Sequence, residues 1–175
     1  MNFSARKLAW CGVLIALAIV LKLPILSVPN VEFLTFVIFS SGYLLGMTEG
    51  MIVGVISMSI YTSIITPYGF PPLPIALAQI ISMVLTGFAG GLIFQMRLLK
   101  LFKSILPYLI MGLLGLALTV IYDLLTNLAV AYVMGQFIPV MIAAIPFVAI
   151  HILSNFVIFM VFTPLLLKMS QVRPV

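Results

Sequence analysis

The residues best placed to do chemistry in this chain are Gln79, Asp123, Asn127, His151 and Asn155, each set within an apolar run. Asp123 and Asn127 are four residues apart, as are His151 and Asn155, so in a helix each pair projects from one side. At the helical rise of 1.5 Å per residue, His151 lies about 26 Å from Lys168, Asp123 about 27 Å from Ile105 and Gln79 about 24 Å from Gln95. These similar distances would bring three segments' polar groups to one level in the outer half of a bilayer. An ionisable group in hydrocarbon costs several kcal/mol unless it meets a wet cavity or a partner. Asp123 is therefore expected to face inward, either as the contact for a cationic or donor group of a ligand or as a structural partner of His151, Asn127 or Gln79. His151 and Asn155 admit the same pair of readings. Tyr61, Tyr68 and Phe70 crowd the end of the third apolar run, where their rings suit the mouth of a cavity for a flat heterocycle or an interfacial anchor. Lys22 and Glu32 flank the first loop and read as a surface pair.

The elements that must position these residues follow from composition. The chain is 65% hydrophobic and 6% charged, whereas a soluble surface needs roughly a quarter of its residues charged. Segments of about 20 apolar residues divide it near 8–27, 31–47, 50–66, 73–95, 105–133 and 138–167. The expected fold is thus an all-α membrane protein of six transmembrane helices forming a single domain over 1–175. With six spans, Arg6, Lys7, Arg97, Lys100, Lys103, Lys168 and Arg173 share one face and only Lys22 does not. The bias of Lys and Arg toward cytoplasmic loops makes that face the cytoplasm, with both termini inside (N-in/C-in). The basic start followed by an apolar stretch imitates a secretory signal, but no small-x-small cleavage site follows, so it reads as the first span. The net charge of +5 is accounted for by orientation and lipid headgroups rather than by nucleic acid.

Small residues recur at four-residue spacing. Gly42, Gly46, Gly50 and Gly54 run through the second and third segments, and Gly87 and Gly91 repeat the pattern in the fourth. Such stripes let backbones approach closely, and packing within the bundle is the expected use. The stripe Ala5, Ala9, Gly12 and Ala16 on the first span suits either internal packing or a partner subunit. The chemistry absent is also informative. There is no phosphate-binding G-x-x-x-x-G-K-[ST] loop and no H-E-x-x-H, and the single cysteine and single histidine build no zinc site. A lone intramembrane aspartate excludes a two-aspartate protease. Phe39-Ser-Ser-Gly42 lacks the first glycine of a G-x-S-G nucleophile motif. No enzyme, no cofactor and no metal are expected.

Several stretches carry a likeness to a known family: Ala5-Arg-Lys-Leu-Ala-Trp-Cys-Gly-Val-Leu-Ile-Ala16, the glycine-spaced run over 42–54, Tyr122-Asp-Leu-Leu-Thr-Asn-Leu-Ala129 and His151-Ile-Leu-Ser-Asn155. With these the chain resembles, over essentially its whole length, the S components: the substrate-binding membrane subunits of energy-coupling factor (ECF) transporters. The resemblance implies a bundle of six helices in a prokaryotic plasma membrane with both termini cytoplasmic. It implies a vitamin or vitamin-precursor pocket open to the outside, formed mainly by the last three helices. It also implies docking through an Ala-x-x-x-Ala stripe on the first helix, matched by Ala5 and Ala9 and continued by Gly12 and Ala16, onto a transmembrane coupling subunit that carries ATPase subunits. Substrate contacts are then expected from Asp123, Asn127, His151, Asn155 and Gln79, with Tyr61, Tyr68 and Phe70 as stacking or lid residues. Thiamin, a pyrimidine precursor, riboflavin and cobalamin fit this pattern equally. Two other readings stay open: a structural scaffold whose polar cluster is self-satisfied, and an intramembrane hydrolase.

Overall fold

The computed structural model describes residues 4–25, 28, 30–66 and 69–172. Six α-helices make up this part of the chain: α1 (Ala5–Lys22), α2 (Leu34–Leu45), α3 (Met47–Ile60), α4 (Leu73–Gln95), α5 (Leu106–Met134) and α6 (Phe137–Gln171). No strand occurs among the described residues. Ser4 starts α1 by accepting the Lys7 backbone N–H at 3.3 Å, a standard N-cap role for serine. Proline in the first turn opens α4 and α5, where a missing N–H costs no helix bond. The last turn of α3 widens into a π-helical segment, Tyr61–Ile65, and Gly135 at φ 65° ends α5 so that α6 can fold straight back.

Five segments are long and apolar enough to cross a membrane, and the second helix is not one of them. The stretch expected to span as 31–47 forms only the 12 residues of α2, and all of them are buried. A short apolar helix sheathed in protein on every side is a core element. Two contacts give its direction. The Lys7 ammonium lies 2.9 Å from the Glu49 carboxylate, which joins the starts of α1 and α3. At their other ends the Lys22 ammonium sits 5.5 Å above the Tyr61 ring. So α1 and α3 run the same way, and α2 returns between them. Trp10, near the start of α1, and Lys168, near the end of α6, line one cavity; both ends of the described chain therefore meet at one end of the bundle.

The glycine stripes do what their spacing suggests. A Cβ at Gly42 would stand 1.9 Å from the Gly87 carbonyl oxygen, and one at Gly87 would stand 2.1 Å from the Gly50 carbonyl oxygen. Three backbones, from α2, α3 and α4, meet where only hydrogens fit. Further along, aromatic edges lock α2 to α6: the Phe36 and Phe159 rings lie 5.2 Å apart at 83°, and Phe33 and Phe162 lie 5.4 Å apart at 89°. Several buried hydroxyls are satisfied within their own helices, as where Thr86 donates to the Ser82 carbonyl and Thr119 to the Gly115 carbonyl, which removes the need for water at those positions.

By contrast, a Cβ at Gly12 meets nothing within 4 Å, and Ala5, Ala9 and Ala16 are also exposed. The small-residue stripe of α1 therefore takes no part in packing within the chain. Gly87→Ala should lower stability by at least about 1–3 kcal/mol, because both clashing groups are backbone. Gly12→Ala should be neutral or stabilising by up to about 1 kcal/mol. Thermal unfolding of the two variants in detergent micelles checks the contrast, and equal melting temperatures would refute the close-approach account.

Candidate functional site

Helices α5 and α6 form an antiparallel hairpin held tight by Gly112 and Gly115, whose absent Cβ atoms make room for Phe156, Phe159 and the Asn155 carbonyl. This closeness brings together two residues 28 apart in sequence: His151 Nδ1 lies 2.9 Å from Asp123 Oδ1. The opposite ring nitrogen, Nε2, lies 3.6 Å from Glu32 Oε1. Glu32 in turn accepts the Thr35 backbone N–H at 3.1 Å and the Thr35 hydroxyl, so the same carboxylate caps the first turn of α2 and faces the imidazole. Only an imidazolium has an N–H for each of two carboxylates. Tyr122 presents its ring edge-on to His151, centroids 5.7 Å apart at 89°.

Glu32 and His151 line a cavity of about 230 Å³ together with Lys22, Asn30, Tyr61, Gln79 and Tyr122. Apolar walls come from Leu34, Met58 and Met83. Asn30 and Glu32, between α1 and α2, belong to its lining. Asn30, in the left-handed region at φ 60°, donates its amide to the Phe147 carbonyl at 2.7 Å and accepts the Ser154 hydroxyl at 2.9 Å. Both anchors are on α6, so this residue latches the loop across the bundle.

Three of the residues singled out in the sequence thus share the cavity: His151, Gln79 and Tyr61. Asp123 reaches it through His151, and with Asn127 it lines a separate apolar groove between α5 and α6. Asn155 is fully buried one turn below His151. Phe70 is 62% exposed on the loop before α4, away from the cavity wall, and Tyr68 lies outside the described residues. The pair Lys22 and Glu32, expected at the surface, is instead buried at 9% and 5% exposure. These two, with Asn30 and Tyr122, are the cavity residues that the sequence reading did not place there. A signal for Lys22 was present: it was the one basic residue off the basic face, and a lone cation at the far end of an apolar segment calls for a buried anion.

Among the described residues, Gln79 Oε1, His151 Nε2, Asp123 Oδ2 and both side-chain polar atoms of Asn155 lack a hydrogen-bond partner around this site, as do Ser40 Oγ and Ser57 Oγ elsewhere. An orphaned buried polar atom costs about 1–3 kcal/mol, so a cluster of them marks a place with capacity to bind. The family model for the ECF-type riboflavin transporter S component matches residues 2–171. The chain belongs to this family. No curated protein and no solved structure matches it. As an S component it is a transport subunit for vitamin uptake rather than a catalyst, and its apolar helices make it a multi-pass membrane protein. In this S component, His151→Ala would strand the Asp123 and Glu32 carboxylates without their shared partner. Breaking a buried ion pair from one side typically costs about 3–5 kcal/mol. Thermal unfolding should therefore show a large loss for His151→Ala and a smaller one for Asp123→Asn, which keeps an acceptor for the imidazole; equal losses would mean the charges are not coupled.

Proposed function

We propose that the cavity between α1, α3, α4, α5 and α6 is the substrate site of an ATP-driven vitamin uptake system, and that its substrate is riboflavin or a close relative. The observation that carries this reading is the pair of unpaired polar atoms on the cavity wall, Gln79 Oε1 and His151 Nε2, with further ones on Asp123 and Asn155 beside His151. A scaffold protein has no reason to leave buried polar atoms unpaired, whereas a binding subunit needs them for the ligand. His151, Gln79, Tyr61, Glu32, Lys22 and Tyr122 are the proposed contacts, with Asp123 and Asn155 holding His151 and the floor. Asn127 and Phe70 fall outside this set, because neither lines the cavity. Ligand pockets commonly measure about 300–1,000 Å³. At about 230 Å³, this one accommodates a flavin only after the Asn30 latch releases the loop between α1 and α2.

The remaining parts of the system follow from the same reading. The basic helix ends face the cytoplasm of a prokaryotic cell, with both termini inside. Ala5, Ala9, Gly12 and Ala16 form the docking face for a transmembrane coupling subunit, supported by their exposure. Partner ATPases drive release, since the chain has no nucleotide-binding loop of its own.

Titrating riboflavin with the purified chain should quench its fluorescence. Gln79→Leu should weaken that binding about tenfold, one hydrogen bond's worth, and Phe70→Ala should leave it unchanged. Absence of riboflavin binding by the unaltered chain would reject the substrate. In cells, uptake of labelled riboflavin should disappear when the coupling subunit is deleted, and uptake that persists would reject the coupled mechanism.

A further inference from the structure

Helix α1 has two faces about 140–180° apart at 100° per residue. One carries the small-residue stripe; the other carries Trp10, Leu14, Leu17 and Leu21 and borders a long groove against α2 and α6. Two adjoining cavities of about 350 and 270 Å³ make up this groove and share the wall residues Leu14, Leu44 and Met169. From Trp10 to Leu21 it runs about 16 Å along α1, close to half of the roughly 30 Å hydrocarbon core. That is the depth of one leaflet.

With Ser40 the one polar side chain elsewhere along its wall, the groove carries charge at one end only. There Lys168 and Trp10 line it, at the end of the bundle where Arg6 and Lys7 begin α1. Glu49 is the nearby acid, and Lys7 already holds it at 2.9 Å. Among the described residues Lys168 has no carboxylate partner. A one-leaflet apolar slot ending at a cation and an interfacial indole matches a molecule with a long hydrocarbon tail and an anionic head.

We propose that this groove seats one acyl chain of an anionic phospholipid, its phosphate held by Lys168 beside Trp10. The lipid is bound on the face of α1 away from the small-residue stripe, so it is independent of substrate and leaves that stripe clear.

Trp10 is the single tryptophan of the chain and reports on the groove directly. The full chain is reconstituted in phosphatidylcholine vesicles containing, at equal mole fraction, brominated-chain phosphatidylglycerol or brominated-chain phosphatidylcholine, and quenching of Trp10 is measured. The glycerol lipid should associate about fivefold more strongly, the contribution of one basic residue near an anionic headgroup. Lys168→Gln should erase the preference, while Arg6→Gln should retain most of it, with far-UV circular dichroism showing unchanged helix content in both. Equal quenching by the two lipids in the unaltered chain overturns the proposal. A preference that falls equally in both variants overturns it too, since that is diffuse surface attraction. Quenching by neither lipid would mean that protein, not lipid, fills the groove.

Discussion

Charge cannot be left alone in hydrocarbon, and the architecture around His151 is built on that constraint. An isolated carboxylate at membrane depth costs several kcal/mol, so Asp123 on α5 needs a partner, and α6 supplies one at 2.9 Å. The imidazole's second nitrogen then faces Glu32 at the head of α2, and Lys22 from the end of α1 lines the same cavity. Four ionisable groups from α1, the head of α2, α5 and α6 thus share one interior region. Neutralising each other ties these ends of the elements together. It also explains why a cavity with charged walls survives in the interior of an otherwise largely apolar bundle.

The opposite half of the bundle rests on a different physical effect. Around Gly42, Gly50 and Gly87 the backbones of α2, α3 and α4 approach so closely that a methyl group would collide with a carbonyl oxygen. In a lipid environment the hydrophobic effect gives no drive for helices to associate, and close van der Waals packing takes its place. This rigid three-helix contact holds Gln79 and Tyr61, on α4 and the end of α3, against the α5–α6 hairpin. The site therefore lies between a glycine-packed body and a charge-paired hairpin, lined in part by a loop that is fastened through Asn30.

A large part of this was legible in the residues. The apolar runs around 73–95, 105–133 and 138–167 became α4, α5 and α6 with shifts of a few residues, because length and hydropathy are local properties. The glycine stripes were read correctly as packing, because four-residue spacing leaves little else for them to do on a helix. The stretch 31–47 holds a helix of only 12 residues between Phe33 and Gly46, shorter than the expected span, and mean hydropathy does not separate a buried helix from one that meets lipid. Lys22 and Glu32 were read as a surface pair because loop residues usually are solvated. Nothing local shows that the loop folds inward over a cavity.

Residue types and the lengths of their apolar runs alone determined that the chain enters a membrane, roughly where its long helices lie, and which polar groups would be costly there. Those follow from the solvation of each segment by itself. Which of the costly groups meet was decided only by the tertiary structure. The rotation and crossing of α5 against α6 aimed His151 at Asp123 and left Asn127 in a separate groove, and the path of the first loop delivered Glu32 and Lys22. Such pairings depend on angles between helices, to which no single helix's sequence is sensitive.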